Sequence, residues 1–333
     1  MSGPATLAPR AAVGVFLTFA LAYFLSALLR AVTATLAPTF VQTFDLQPSA
    51  LGVLGGSYFL GFALMQLPAG AWLDRFGSRP VLCASLSMAA LGSFLFATAD
   101  SFAGLAVARF MCGVGVSACL IAPLTSARQW LSAAHQQQLN IWMLMVGALG
   151  LLMATLPAQL VADLWGWRAI FLATAVGFAL TVLAIMVWVP GTEQLKGMEA
   201  PWFLAYAPVL KSPHTWKMAP LGFFSYAILV AVQTLWAGPW LTDVSGVGAG
   251  RAAMGLFAIN LVMLVVFLGL GFVMPRVIRS EVGALGAHVG EQVEHAHRLR
   301  HVQRLADQIE QGRRRALFRQ HREDVLDVDH ADD

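Results

Sequence analysis

The amino-acid sequence predicts an all-α, polytopic membrane protein. Of its 333 residues 58% are hydrophobic and only 12% are charged, about half the charge of a soluble domain. Mean hydropathy is +0.69, and the apolar residues gather in unbroken runs long enough to cross a hydrocarbon core of ~30 Å. In that setting the net charge of +3 reflects membrane topology rather than a nucleic-acid footprint, so no nucleic-acid partner is expected. The lipid bilayer is the first partner.

Eight spans are expected, at about 12–37, 50–72, 81–98, 102–127, 140–162, 169–190, 218–240 and 252–274. The first is too long for the apolar core of a signal peptide and is followed by further spans, so it reads as a retained helix. The second and third flank a tight turn carrying Asp74, Arg75 and Arg79. Gly77 suits a positive φ there, and Pro80 suits the first turn of the next helix, where its missing N–H is not needed. In spans four and five, Gly113, Gly115, Gly147 and Gly150 permit close helix packing, and Pro157 loosens the backbone of its own helix. Gly52 and Gly56 offer the second span a similar contact surface. Gly113-x-Gly115-x-x-Ala118 imitates a dinucleotide fingerprint, but it lies in an apolar helix with no preceding strand, which excludes that reading. Before span six, Gly166 makes a turn with Trp165 and Trp167 as interfacial anchors.

Alternate loops place Arg10, Arg75, Arg79, Arg128, Lys196, Lys211, Lys217, Arg276 and Arg279 on one side, against Arg168 and Arg251 on the other. The basic side is cytoplasmic, so both termini are expected inside a multi-pass protein of the cell inner membrane. The expected domains are a six-helix bundle over 1–190, a cytoplasmic linker over 191–217, a two-helix partial bundle over 218–280 and a polar tail over 281–333.

The order Gly70-x-x-x-Asp74-Arg75-x-Gly77-x-Arg79 resembles the loop between helices two and three of the major facilitator superfamily of secondary transporters. Arg109-x-x-x-Gly113-x-Gly115 is similar to that family's fourth-helix motif, and Trp165-Gly166-Trp167-Arg168 to its approach to helix six. The resemblance covers roughly residues 12–280. What it implies is a six-plus-six helix transporter working by alternating access, with a central cavity lined by helices one, four, seven and ten. Gly70, Asp74, Arg75, Gly77 and Arg79 would then form a cytoplasmic gate, with Asp74 touching the other half of the protein around helix eleven. The partner implied is a small-molecule solute; a monomer is expected, and no cofactor.

Arg30 and Arg109 are the two ionisable residues clearly within spans. At 1.5 Å per residue they lie about 12 Å and about 10 Å below the external surface. An arginine there costs several kcal/mol unless it meets a cavity or a partner. No acidic residue within the spans neutralises either one. Because the resembled family lines its cavity with helices one and four, an anionic solute is the natural counter-ion. Arg109 also has a second reading, in which it snorkels to the outer interface or orders the fourth helix through backbone carbonyls. Tyr23, seven residues before Arg30 on roughly the same face, joins Gln233, Trp236 and Asn260 of spans seven and eight as further substrate-binding candidates, although each residue type in such a position is more often an interhelical hydrogen bond or packing contact.

No Ser/His pair, paired carboxylate or metal constellation falls within the spans, so neither an enzyme nor a bound metal is expected. Cys83, Cys112 and Cys119 read as buried thiols; the last two share a helix at about 10 Å separation, too far to bridge. Beyond Arg279 the chain turns rich in Arg, Asp, Glu and His with no Lys. Val289, Val293, Ala296, Leu299, Val302, Leu305 and Ile309 suggest a weak amphipathic helix there, and His297 with His301 a weak metal pair. This segment reads either as a cytoplasmic interaction tail or as out-of-frame translation, and its sharp boundary favours the second, a transporter truncated after its eighth helix. The rival function is a non-transporting membrane scaffold whose tail captures a soluble partner.

Overall fold

The computed structural model describes residues 9–130, 133–191, 210–248 and 250–273. The expectations for 281–333, the His297/His301 pair included, and most of the 191–217 linker lie outside them.

In lipid a backbone must satisfy its own polar groups, and the uncharged runs do so as helices. These are α1 (Pro9–Phe44), α2 (Pro48–Phe76), α3 (Ser78–Thr98), α4 (Phe102–Val116), α5 (Ile121–Trp130), α6 (Ala133–Met153), α7 (Leu156–Trp165), α8 (Trp167–Trp188), α9 (Pro213–Ala231) and α10 (Gly250–Val273). Six stretches are long and apolar enough to cross a membrane singly, and α6 with α7 supplies a seventh as a bent pair.

Two expected spans take a different form. Residues 140–162 are broken, with α6 and α7 inclined by 41°. The break falls at Ala154–Thr155, just ahead of Pro157, which has no N–H for the preceding turn. The Ala154 carbonyl oxygen there accepts from Thr35 Oγ1 of α1 at 2.7 Å. Residues 218–240 are not one regular helix either. After Ala231 the chain continues as π-helical turns, Val232–Trp236 and Trp240–Val244, around Ala237–Pro239. Pro239 withholds an N–H from this ladder, and wider bonds replace the regular ones.

α1 runs through the middle of the bundle. Its Leu29, Val32, Leu36 and Phe40, three and four residues apart, are fully buried. On the outside, Leu60, Leu64, Val107, Leu180 and Val187 remain exposed, the apolar surface that lipid requires. α4 lies so close to its neighbours that a Cβ at Gly113 would fall on the Tyr58 carbonyl oxygen of α2, and one at Gly115 on the backbone of Ala89 in α3. Gly150 lets α6 approach the Phe24 carbonyl of α1 in the same way. Gly52 and Gly56 do not form the expected contact surface, since a Cβ at either meets nothing within 4 Å.

α3 and α8 are strapped together at both ends. Gly77 and Gly166 each have φ +80° and each opens a helix. Two residues later comes an arginine. Arg79 Nη2 donates to the Met186 carbonyl oxygen in the last turn of α8 at 2.6 Å. Reciprocally, Arg168 donates from Nε to Ala97 O at 3.0 Å and from Nη2 to Ala99 O at 3.2 Å, at the end of α3. The two helices are therefore antiparallel, and each guanidinium meets the negative end of the other's dipole.

Trp165 is exposed, as an interfacial anchor should be, but Trp167 is not an anchor. It is buried at 6% exposure against Phe40 and Phe171, with ring centroids 5.2 Å and 6.1 Å away. Phe96 completes this aromatic cluster, 4.2 Å from Phe171. Trp167 follows the Gly166 turn directly, and the same turn that aims Arg168 at α3 aims Trp167 into the core.

Candidate functional site

Arg109 lies on α4 with 1% exposure and no carboxylate among the described residues beside it. Its Nη1 donates to the Leu29 carbonyl oxygen of α1 at 2.8 Å, and its Nη2 donates to Thr33 Oγ1 one turn further along. The guanidinium carbon stands 4.9 Å from the Tyr58 ring centroid and 5.7 Å from that of Phe96. Oxygens of α1 and the faces of two aromatic rings thus take the place of a counter-ion. Arg30, next to Leu29, is half-buried, and both arginines act electrostatically on the Tyr58 hydroxyl. That hydroxyl is itself buried, with no hydrogen-bond partner among the described residues. Of the two intramembrane arginines, Arg109 is the one in contact with this tyrosine of α2. Tyr23 is buried against Gly147 of α6 and lies elsewhere on α1.

Gln233 and Asn260 are brought together. Gln233 Nε2 donates to Asn260 Oδ1 at 2.8 Å, while Asn260 Nδ2 donates to the Leu256 carbonyl oxygen at 2.8 Å. The pair ties the π-helical segment to α10, the interhelical role that both residues admit.

Trp236 faces a cavity of about 490 Å³. Its walls are the second half of α1 from Thr33 to Gln42, Leu46 in the turn after it, the start of α2 at Leu51 and Gly52, and the segment from Trp236 to Gly248. The cavity exists because this segment crosses α1 tightly, where a Cβ at Gly238 would come 2.6 Å from the Ala34 carbonyl oxygen. The lining is mostly apolar, with Gln42, Thr33, Thr242 and Asp243 as its polar groups. Thr242 Oγ1 donates to Asp243 Oδ1 at 2.8 Å. Neither arginine lines the cavity, although Arg109 stands directly behind Thr33. Thr33, Tyr58 and Asp243 were not among the residues singled out by sequence. Asp243 alone had a readable signal, an acid close after a span.

At the opposite end of α2, Asp74 and Arg75 are exposed in its last turn, and Gly77 is the single residue between α2 and α3. Gly70 is half-buried one turn before Asp74. Arg75 lies 5.3 Å from the Phe76 ring centroid, and Asp74 makes no hydrogen bond or ion pair with the described residues. Ser78, in the first turn of α3, is buried and pairs its hydroxyl with that of Ser126 on α5. Arg79 is turned toward α8 as described.

The chain is 25% identical over 232 residues to the methylenomycin A resistance protein of Bacillus subtilis, covering 68% of this chain and 47% of that one. It is 28% identical over 186 residues to a chloramphenicol resistance protein of Pseudomonas aeruginosa, at 51% and 42% coverage. The niacin transporter NiaP of Acinetobacter baylyi matches over 152 residues at 27% identity, with 46% and 35% covered. The chain spans less than half the length of these curated relatives. Among solved structures, a bacterial homolog of the human lysosomal transporter Spinster, inward-facing and unoccupied, aligns with a TM-score of 0.58 at 20% identity, covering 74% of this chain and 58% of that one. A D-xylose–proton symporter aligns at 0.54 and 16% identity, over 76% and 67%. These likenesses show the fold. The profile of the Major Facilitator Superfamily matches residues 19–288, and the chain belongs to that family.

Proposed function

We propose that this protein carries a small solute across the inner membrane by alternating access, with its N-terminus in the cytoplasm. The observation that carries the reading is the cavity between the α1–α2 pair and the Trp236–Gly248 segment, a size suited to a small organic molecule. Membership of the family supports the mechanism. The names of relatives, which include antibiotic resistance proteins, a niacin transporter and an inner membrane transport protein of Escherichia coli, support the solute class and the location.

The solute carries a negative charge in this reading. Arg109, held beside Tyr58 and Thr33, and Arg30, half-buried on α1, supply positive potential in a region that low dielectric makes sensitive to it. Trp236 contacts the solute directly, Arg109 acts through Thr33, and Gln233 with Asn260 holds the wall. Tyr23 acts by packing α1 on α6. At the cytoplasmic end, Asp74 and Arg75 are exposed and available to a facing surface, with Gly70 and Gly77 shaping the turn and Arg79 fixing it to α8. Arg30→Ala should abolish saturable uptake of an isotope-labelled carboxylate-bearing solute, selected by wild-type activity from a panel that includes zwitterions, while membrane insertion stays intact. Unchanged uptake would remove Arg30 from the site.

A further inference from the structure

We infer that the cavity takes a zwitterion, with the anionic group of the ligand at Thr33 and its cationic group at Asp243. The inference rests on the transport reading for the route by which a solute arrives, and on the cavity's own walls for its charge. At one end, Thr33 is 3% exposed and accepts a hydrogen bond from Arg109 Nη2. A hydroxyl that accepts from a guanidinium is a stronger donor through its own O–H. Thr33 makes no other hydrogen bond among the described residues, so that donor remains for a ligand. Arg109 has no carboxylate partner there, and its charge reaches the cavity through this one hydroxyl.

Asp243 gives another part of the lining the opposite sign. Gly238 crosses α1 at Ala34, beside Thr33, and Asp243 lies about one helical turn further along the segment. Its carboxylate is exposed, and no lysine or arginine lines the cavity. In the same lining, Ala37, Val41 and Leu51 provide an apolar wall and Trp236 an aromatic face, which suit the body of a ligand and a quaternary ammonium. A simple anion would meet Asp243 without compensation. A simple cation would face Arg109 behind Thr33. One molecule bearing both charges satisfies both ends.

The test uses the full chain in lipid nanodiscs and three probes of matched shape: γ-butyrobetaine, its cationic analogue butyltrimethylammonium and its anionic isostere 5,5-dimethylhexanoate. The zwitterion should bind about tenfold more tightly than either analogue in equilibrium dialysis, the worth of one charge-assisted contact. Asp243→Asn should bring 5,5-dimethylhexanoate level with γ-butyrobetaine. Thr33→Val should do the same for butyltrimethylammonium, while Thr33→Ser keeps the preference. Equal binding of either analogue by the wild-type chain overturns the inference, as does selectivity that survives Asp243→Asn. If none of the probes binds while Arg30-dependent uptake persists in vesicles, the zwitterion assignment falls and transport stands. If the probes bind selectively but no uptake occurs, transport falls and the charge reading of the cavity stands.

Discussion

An arginine persists inside a bilayer when its cost is offset locally, and Arg109 achieves this with two oxygens of α1 and two aromatic faces. The arrangement depends on α4 reaching α1, α2 and α3 at once, which only glycine at the contact points allows. Gly113 packs on the Tyr58 carbonyl, the residue whose ring covers the Arg109 guanidinium. Gly113→Ala is therefore expected to lower stability by about 1–3 kcal/mol, because the added Cβ must push α2 and its tyrosine away. Gly56→Ala is the control. With nothing within 4 Å, it should be neutral or gain slightly from helix propensity. Thermal unfolding in detergent measures both, and equal effects would show that α4 does not approach α2 so closely. The arginine itself was legible in the sequence as an intramembrane charge, but the backbone carbonyl it bonds belongs to Leu29 of α1 and not to its own helix. Which carbonyl it meets was not legible, since main-chain oxygens leave no mark on the residue that bears them.

At the scale of elements, the α3–α8 pair is held by a repeated Gly-x-Arg, Gly77-Ser78-Arg79 and Gly166-Trp167-Arg168, with each arginine on the last carbonyls of the other helix. The ends of α3 are about 30 Å apart, so the two straps act independently. Arg79→Ala and Arg168→Ala should each cost about 1 kcal/mol, and the double variant their sum. A double-mutant cycle on unfolding free energies checks this; a large interaction energy would mean that both arginines serve one cooperative switch rather than two separate clasps. The ion pair of Arg168 with Asp100, 2.9 Å long, lies at the surface, and Asp100→Asn should change little. The turns themselves could be read from sequence, because glycine is the residue that takes φ +80° without strain and Pro80 tolerates a first helical turn. The burial of Trp167 could not, because a tryptophan at a span end fits an interface and a core equally well until the neighbouring Phe40, Phe96 and Phe171 are in place. Pro157 signalled a loosened helix, but the size of the bend depends on Thr35 taking the Ala154 carbonyl from another helix.

For the whole molecule, hydropathy and charge placed most of the helices, while the cavity escaped them. Its volume arises where residues far apart in sequence cross, Gly238 at Ala34, and the carboxylate that gives it a negative end lies just outside the expected span. Orientation is the property for which the sequence argues most directly. Basic residues concentrate at the end holding the α2–α3 turn, while the α7–α8 turn at Gly166 has Asp163 before it and Arg168 after it. With Cys83, Cys112 and Cys119 replaced by serine or alanine, Arg75→Cys should react with a membrane-impermeant maleimide in inside-out vesicles and stay protected in intact cells. Asp163→Cys, exposed at the end of α7, should show the reverse. The two residues are separated by α3 to α7, in which α3, the α4–α5 stretch and the bent α6–α7 pair make three crossings, so an odd count puts them on opposite faces. Labelling of both from the same side would mean that the bent pair turns back within the membrane instead of crossing it, and the orientation of α8 and everything beyond it would invert.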